Sequence, residues 1–214
     1  MAHSIAPKPS RREMDMLLST GERITMSLLC MALHQLGVES VSLTGSQCGI
    51  ITNHRHNDAQ VIEVRPFRVQ DEMAEGKVVV VGGFQGVSYK RDITTLGRGG
   101  SDTSAAYFAA RLQAEALEIW TDVSGMFTAN PRLVKQARPI PLLSYEEAME
   151  LSFFGAKVIS AKALTPLMSA GIPCEIKNTF APEDIGTLIE TENQNKDNII
   201  RGITSIDKIS VLSL

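Results

Sequence analysis

The chain has 214 residues, of which 43% are hydrophobic and 21% are charged, values that argue against a disordered, collagen-like or coiled-coil protein. Its 21 basic and 24 acidic side chains give a formal net charge of −3, so it lacks the basic excess that favours nucleic-acid binding.

The cysteines and the N-terminal segment bear on the cellular compartment. Three widely spaced cysteines argue against a disulfide framework and against a paired-cysteine zinc site. Residues 1–12 contain prolines and no apolar run, so we predict an unstructured lead-in and no signal peptide. The longest apolar run, residues 78–84, is far shorter than the ~20 residues of a membrane span. We therefore expect a cytoplasmic protein that binds neither nucleic acid nor a membrane.

Helix and strand patterns alternate along the chain, which indicates the α/β class. Helical spacing of apolar residues predicts helices at residues 22–36, 67–74, 101–114, 144–153 and 157–170. Apolar runs predict strands at residues 38–43, 59–64, 77–83, 116–122 and 173–177. The first helix has a wide apolar face and should be mostly buried. The four valines at 78–81 are typical of a strand buried on both faces, which favours a parallel sheet.

A change of composition near the C-terminus suggests a second domain. Residues 190–198 are almost devoid of apolar side chains, which is typical of a linker. Residues 209–214 then alternate between polar and apolar side chains as one strand would. We therefore predict a linker at 191–200 and the opening strand of a further domain within 201–214.

A glycine-rich loop between a predicted strand and a helix start is the strongest local signal. Three glycines within residues 94–102 allow a ligand to approach the backbone, and the free N–H groups of the helix start attract anions. Arg98 can bind a carboxylate or phosphate with two hydrogen bonds. The alternative is a tight turn in which Ser101 or Asp102 caps the helix. The spacing matches neither a P-loop nor the dinucleotide-binding glycine motif.

Residues 120–132 form a second candidate site, since they follow the carboxyl end of a predicted strand, where open α/β sheets bind ligands. A nucleotide would suit this place, with Asp122 on the sugar or a metal and Arg132 on the phosphates. The alternative is an ordinary turn in which Asp122 caps and Pro131 stops the chain.

Two charged residues at predicted helix starts are further candidates. Glu22 there commonly compensates the helix dipole, and Lys157 is commonly a solvated charge. His54 and His56 lie in a polar loop without the spacing of metal ligands, so we assign no metal to side chains alone.

Several motifs, taken in order, resemble the catalytic domain of the aspartate kinase family. The resemblance covers about residues 11–214. The motifs are LSTGER (18–23), SLTG (42–45), GFQG (83–86), TTLGRGGSD (94–102), WTDVSGMFTANPR (120–132), FGAKV (154–158), IKNTF (176–180) and GTLI (186–189).

This resemblance implies a three-layer amino-acid-kinase fold with a mainly parallel sheet, and ATP and Mg²⁺ as co-substrates. It also implies transfer of the ATP γ-phosphoryl group to the side-chain carboxylate of L-aspartate. The product would be 4-phospho-L-aspartate, in the first step of lysine, threonine and methionine biosynthesis. A kinase acting on glutamate or a nucleotide is an alternative, but Glu22 together with Arg98 favours aspartate.

The family's site residues carry over to matching positions. Glu22 would hold the amino group of aspartate and Arg98 its carboxylate, with Arg98 and Lys157 as the catalytic cations. The other aspartate-binding positions are Phe84, Thr95, Gly99, Gly100, Ser101 and Asp102. The nucleotide-binding positions are Ser101, Thr121, Asp122, Phe127, Thr128, Ala129, Asn130, Pro131, Arg132 and Lys157.

The chain also departs from the family pattern. It lacks the family's first strand and its Lys-Phe-Gly-Gly phosphate loop. It also has Asn130 in place of an aspartate, and Ile-Ser-Ala at 159–161 in place of Leu-His-Pro. The resemblance therefore implies an N-terminally truncated catalytic domain at 13–190 and the first strand of a regulatory domain at 201–214. We expect activity to be impaired in isolation. The alternatives are a non-catalytic fragment or a partner subunit that complements another kinase chain, and a homo-oligomer is also expected.

Overall fold

The computed structural model describes residues 2–155, 158–191 and 200–206. The chain divides into two compact units, Met1–Leu112 and Gln113–Leu214. The division falls inside residues 13–190, which the sequence predicts as a single catalytic domain, and that domain assignment stays a prediction.

The first unit holds two sheets. Its helices are α1 (Ala2–Ile5), α2 (Arg11–Gln35), α3 (Phe67–Ala74) and α4 (Gly100–Leu112). Its strands are β1 (Ser40–Leu43), β2 (Ile50–Thr52), β3 (Val61–Val64), β4 (Val78–Val81), β5 (Gln85–Ser88) and β6 (Ile93–Thr95). Strands β1 and β4 pair in parallel, with Ser40 opposite Val78. The other sheet has the order β3-β2-β5-β6, and its central β2–β5 pair is parallel.

The core of the first unit joins the strands to α4. Buried side chains from β1, the turn before β2, β2, β3, α3 and α4 form one cluster, which consists of Leu43, Cys48, Ile50, Val64, Val69 and Phe108. Helix α4 contributes Phe108 to this cluster because it packs on β3 and β5. The N-terminus of α4 is thereby held beside the end of β6.

Helix α2 begins earlier than the sequence pattern predicts. It starts at Arg11 rather than at residue 22, and Ala2–Ile5 is also helical, so the unstructured lead-in at 1–12 is wrong for these residues. The segment between residues 11 and 20 is rich in Arg, Met and Leu, which are good helix formers. Gly21 does not end the helix, because one interior glycine costs only about 1 kcal/mol.

The expectation that this helix is mostly buried is also wrong. Only Asp15, Ser19, Met26 and Cys30 are buried, in a narrow stripe along α2. Apolar side chains on its other faces are 50–61% exposed; they are Ile24, Leu28, Leu29 and Met31. Helical spacing reveals that apolar faces exist, but the rest of the fold decides which of them are covered.

Strand β4 differs from expectation for a related reason. Val78 is 46% exposed and the other three valines are only partly buried, so burial on both faces is not observed. Within the described residues β4 pairs with β1 alone.

Helix α2 also bears on the membrane expectation. It is the one helix within residues 2–155, 158–191 and 200–206 that is long and apolar enough to cross a membrane, with a mean hydropathy of 1.2 in its best window. A helix that packs inside a globular domain can pass the same test. Helix α2 packs on β1, β4 and β6, and the carboxylate of its residue Asp15 is buried.

Within its described residues, the second unit has one four-stranded sheet. Its elements are β7 (Leu117–Thr121), β8 (Leu142–Ser144), α5 (Tyr145–Phe153), α6 (Ala161–Ala170), β9 (Cys174–Asn178) and β10 (Thr187–Glu190). The strand order is β7-β9-β10-β8, with β7–β9 and β8–β10 parallel and β9–β10 antiparallel. The predicted α/β class with parallel strands is confirmed, although the sheets are mixed.

Capping residues explain where helix α5 begins and where helix α6 ends. Ser144 caps α5 through a reciprocal capping box with Glu147. Helix α6 ends at Gly171, whose left-handed φ of 66° suits glycine. It begins at Ala161, four residues after the predicted start, and residues 156 and 157 lie outside the described chain.

Beyond Thr191, the structure describes only residues 200–206. There the Ile203 amide donates to the Thr128 carbonyl at 2.9 Å, and Arg201 Nε lies 3.2 Å from Glu147 Oε1. The predicted strand at 209–214 and residues 192–199 of the linker lie outside the described residues.

Candidate functional site

The glycine-rich loop of the first unit runs from the end of β6 to the start of α4. Gly97 and Gly99 have φ values of 76° and 68°, in the left-handed region that favours glycine. A Cβ on Gly100 would lie 2.7 Å from that of Phe84, closer than carbon atoms can approach. Glycine at these positions therefore lets the loop turn tightly and pack against Phe84.

Phe84 links this loop to the turn after β4. Its amide donates to Ser104 Oγ at 2.9 Å, and its carbonyl accepts from the Leu96 amide at 2.9 Å. On its other side, a Cβ on Gly83 would lie 3.1 Å from Ser101 Oγ. The structure thus brings Phe84, Gly100 and Ser101 together, as the sequence motifs predict.

Arg98 and Glu22 are charged side chains of the first unit that have no partner among the described residues. Arg98 is exposed, and its guanidinium forms no hydrogen bond or ion pair with any described residue. The carboxylate of Glu22 is partly buried and is equally unpaired within the described chain. Glu22 lies well inside α2 rather than at a helix start, so compensation of the helix dipole does not explain it. These two groups have the charges that an amino acid's carboxylate and ammonium require.

Asp102 and Thr95 occupy different environments beside the same loop. Asp102 lies in the first turn of α4, where burial raises the pKa of its carboxyl group. Thr95 is 2% exposed, and its hydroxyl donates to Asp15 Oδ1 at 2.6 Å. Sequence reasoning missed Asp15, because no motif marks it and the predicted helix began only at residue 22.

The second unit contains a cavity of about 690 Å³ at the end of β7. Small-molecule sites typically measure about 300–1,000 Å³. Seven of the predicted nucleotide positions line it; they are Thr121, Asp122, Phe127, Ala129, Asn130, Pro131 and Arg132. The carboxyl end of a strand thus carries a ligand-sized cavity, as expected for this fold class.

The cavity wall around Asn130 is held by local hydrogen bonds. Asn130 Oδ1 accepts from the Arg132 amide at 3.0 Å, and its carbonyl accepts from the amides of Leu133 and Val134 at 2.9 Å. An aspartate could make the same side-chain contact, so asparagine here preserves the turn that presents Arg132.

Two predicted nucleotide positions differ from the rest. Thr128 does not line the cavity; its hydroxyl accepts from the Arg138 amide at 3.1 Å, so it fixes the loop. Lys157 lies outside the described residues. Gly155 and Val158 also line the cavity and fall within the FGAKV motif at 154–158, whereas sequence reasoning missed four lining residues that no motif marks: Ile203, Thr204, Ser205 and Ile206.

The acidic residues of the second unit bear on metal binding. Asp122 is exposed at the cavity, and its Oδ1 accepts from the Thr121 hydroxyl at 3.2 Å. Within the described parts of the chain no group of three or more His, Cys, Asp or Glu side chains could hold a metal ion. A metal bound by a single carboxylate would need further oxygen ligands from a substrate.

Known proteins resemble this chain along its whole length. It is 44% identical over 215 residues to aspartokinase 2 of Bacillus subtilis, covering 100% of this chain and 52% of that protein. It is 41% identical over 221 residues to the aspartokinase of Corynebacterium glutamicum, with the same coverage of 100% and 52%. The chain spans about half the length of these curated relatives.

Solved structures resemble it as well. The crystal structure of E. coli aspartokinase III in complex with aspartate and ADP matches with a TM-score of 0.84 and 33% identity, over 90% of this chain and 44% of that one. Aspartate kinase from Synechocystis matches with a TM-score of 0.76 and 43% identity, over 91% and 32%. A sequence model described as the amino acid kinase family matches residues 2–178, which is more than half of the chain. The chain therefore belongs to the amino acid kinase family.

Proposed function

We propose that this chain is an aspartate kinase, which transfers the γ-phosphoryl group of ATP to the side-chain carboxylate of L-aspartate in the cytoplasm. The product, 4-phospho-L-aspartate, would enter lysine, threonine and methionine biosynthesis. Support comes from aspartokinases at 41–44% identity and from a structural neighbour that holds aspartate and ADP.

The observation that carries the proposal is that two motif residues of opposite charge, Glu22 and Arg98, are both unpaired within the described residues of the first unit. Arg98 would bind the α-carboxylate of aspartate with two hydrogen bonds, and Glu22 would bind its ammonium group. An unpaired charge in a partly buried position has a desolvation cost that a ligand of opposite charge offsets. Glu22 is partly buried and so has this cost, whereas a fully solvated acid would not indicate a ligand.

The second unit would bind the nucleotide. Its cavity of about 690 Å³ has room for a nucleoside, and Arg132 gives it a cation for the phosphates. We assign Lys157 a role on the transferred phosphoryl group by its match to the family motif alone. Mg²⁺ would enter with ATP, because Mg²⁺ usually binds through one or two carboxylates and the substrate phosphates. Asp122 is the acid at the cavity that could take this part.

The chemistry requires little covalent help from the protein. A carboxylate oxygen of aspartate attacks the γ-phosphorus as the bond to the β,γ-bridging oxygen breaks, and ADP leaves with that electron pair. An ionised carboxylate needs no general base, so catalysis depends on in-line positioning and on neutralising phosphoryl charge. The Arg98 and Lys157 cations are the groups assigned to that neutralisation.

The test is ATP-dependent formation of aspartyl phosphate, trapped as its hydroxamate. The chain is assayed alone and with a synthetic segment carrying the family's Lys-Phe-Gly-Gly loop. Glutamate replaces aspartate as an acceptor control in the same assay, and UMP replaces it in a parallel assay of ADP release, because phosphoryl transfer to UMP forms no acyl phosphate for hydroxylamine to trap. We expect aspartate to be the preferred acceptor and the added segment to raise the rate. Light scattering on the same samples would determine whether the chain forms a homo-oligomer or a complex with the segment.

Arg98→Ala is the matched control for this assay. Because its side chain has no partner in the described chain, the variant should fold normally and lose activity. Hydroxamate formed equally by Arg98→Ala, or phosphoryl transfer detected only with glutamate or UMP as acceptor, would contradict the proposal.

A further inference from the structure

Asp15 is an unusual residue in the first unit. Among the described Asp, Glu, Lys and Arg side chains it is the only one in the buried class, with 0% exposure. It lies on the buried stripe of α2, where an apolar residue would serve packing better. Burying a carboxylate costs free energy unless hydrogen-bond donors surround it.

The carboxylate of Asp15 is surrounded by donors from two other parts of the unit. Thr95 Oγ1 donates to its Oδ1 at 2.6 Å, and Asn57 Nδ2 donates to the same oxygen at 2.7 Å. The Asn57 backbone amide lies 3.1 Å from Oδ1 and 3.2 Å from Oδ2. His56 Nδ1 lies 2.7 Å from Oδ2. Both oxygens are thus satisfied, and one side chain joins α2, β6 and the loop after β2.

These contacts hold the glycine-rich loop (residues 94–102) in place. Asn57 has a left-handed φ of 68°, a conformation that its hydrogen bonds to Asp15 stabilise. A Cβ on Gly97 would lie 3.2 Å from the Asn57 carbonyl, so the Asn57 turn packs directly against that loop. The Ala59 amide donates to the Thr95 carbonyl at 2.8 Å, which ties the same segment to the strand that enters the loop.

Asp15 also connects this loop to the candidate ammonium-binding residue. Glu22 lies seven residues further along α2, which is about two helical turns and therefore the same side of the helix. The bond from Thr95 to Asp15 consequently fixes the end of β6 against the helix that carries Glu22. A shift of that bond would change the position of Arg98 relative to Glu22.

We propose that Asp15 is a positioning residue for aspartate binding. It does not touch the substrate; through Thr95 and the His56–Asn57 turn it holds the loop that presents Arg98. This inference rests on the proposed function for the identity of the ligand, while its structural part, the support of the loop, stands independently.

The test compares Asp15→Asn with Glu13→Gln in the full chain. Glu13 lies on the same helix with its side chain 64% exposed, so its variant makes an equal change of charge at the surface. Amide hydrogen exchange is followed at Ala59 and Leu96, whose amides bond to Thr95 and Phe84. Val78, bonded to Glu39, reports on the rest of the first unit, and Leu117, bonded to Pro173, on the second. Calorimetry measures aspartate and ADP binding without turnover.

We expect Asp15→Asn to speed exchange at Ala59 and Leu96 at least tenfold, with Val78 and Leu117 unchanged within twofold. It should weaken aspartate binding at least tenfold and leave ADP binding unchanged. Unchanged exchange at Ala59 and Leu96 would overturn the inference, and so would an equal rise at Val78, which indicates general destabilisation. Local exchange without any loss of aspartate affinity would overturn it as well.

Failure of the proposed function gives a different result. If the unmodified chain binds no aspartate while Asp15→Asn still loosens Ala59 and Leu96, the aspartate assignment fails and the support of the loop stands. If Asp15→Asn does not fold, Thr95→Val takes its place, because it removes the hydroxyl that donates to Asp15. Thr95→Ser retains the hydroxyl and should restore both readouts; no difference between Val and Ser would overturn the inference.

Discussion

The two units hold their candidate sites in different ways. In the first unit a buried carboxylate, Asp15, collects donors from β6 and a loop. In the second unit a neutral hydroxyl does comparable work: Thr187 is 1% exposed, accepts from the Met126 amide at 2.8 Å and donates to the Ile140 carbonyl at 2.7 Å. The first site therefore depends on charged residues both beneath the loop, at Asp15, and at the proposed ligand contacts, Arg98 and Glu22. The loops of the second site are held by close packing and neutral hydrogen bonds.

This difference matches the ligands proposed for each unit. A small zwitterion offers little surface, so opposite charges such as Arg98 and Glu22 must supply its affinity and orientation. A nucleotide has a large apolar base, and the cavity in the second unit offers it both polar and apolar walls. Removing Arg98 or Glu22 should therefore affect the first site, and substitutions that disturb packing should affect the second, where Arg132 is the cation proposed for the phosphates.

Arg98→Ala should have the largest effect on ligand binding. Losing the charge-assisted hydrogen bonds of Arg98 to the ligand costs about 1.5–3 kcal/mol, roughly ten- to a hundredfold in aspartate affinity. The melting temperature should not change, since Arg98 has no partner in the described chain. Calorimetric titration with aspartate measures the loss. Arg98→Lys keeps the charge without the planar fork and should be intermediate; an unchanged affinity in Arg98→Ala would contradict charge-based binding.

Gly125→Ala should destabilise the second unit strongly. Its φ of 102° strains any other residue, and a Cβ would lie 2.4 Å from Thr187 Oγ1. Strain and overpacking together cost roughly 2–5 kcal/mol of unfolding free energy. Urea unfolding measures this loss, and hydrogen exchange localises it to the second unit. Gly100→Ala makes the matching change in the first unit, and equal exchange in both units for either variant would show that the two sites are not supported separately.

Thr187→Val should cost about 2 kcal/mol, because it leaves the Met126 amide and the Ile140 carbonyl without their buried partner. The segment between these residues includes the cavity wall, so ADP affinity should fall while aspartate affinity is retained. Urea unfolding and calorimetry check the two effects. Thr187→Ser keeps the hydroxyl and loses the methyl group that valine retains, so it is the control for packing; a smaller loss in Thr187→Ser than in Thr187→Val assigns the effect to the hydrogen bonds, and unchanged stability in Thr187→Val would contradict this assignment.

Gly21→Ala should have the smallest effect, and a stabilising one. Gly21 lies inside α2, and a Cβ there meets nothing within 4 Å. Alanine in a helix interior is favoured over glycine by about 0.5–1 kcal/mol. A rise in the urea midpoint of that size would also confirm that α2 is continuous through residue 21. A fall in the midpoint would mean that the helix breaks there.

Much of the fold was predictable from local patterns. Helix α3 matches its predicted range of 67–74, since its spacing and ends agree. The short strands β2, β5, β6, β8 and β10 were missed, because three or four residues carry too little periodicity on their own; the equally short β4 was found through its unbroken run of valines. Residues of the glycine-rich loop and of the 120–132 segment were identified through ordered motifs, whereas Asp15 and Thr187 carry no motif that marks them.

The sequence by itself determined the α/β class, the glycine-rich loop and most of the cavity residues, because these depend on neighbours within one turn or one motif. Only the tertiary structure decided that Asp15 is buried against Thr95, 80 residues away, and that Ile203 to Ile206 line the cavity. It also decided that much of the apolar surface of α2 stays exposed. Burial and long-range hydrogen bonds depend on which distant segments meet, and local spacing carries no record of that.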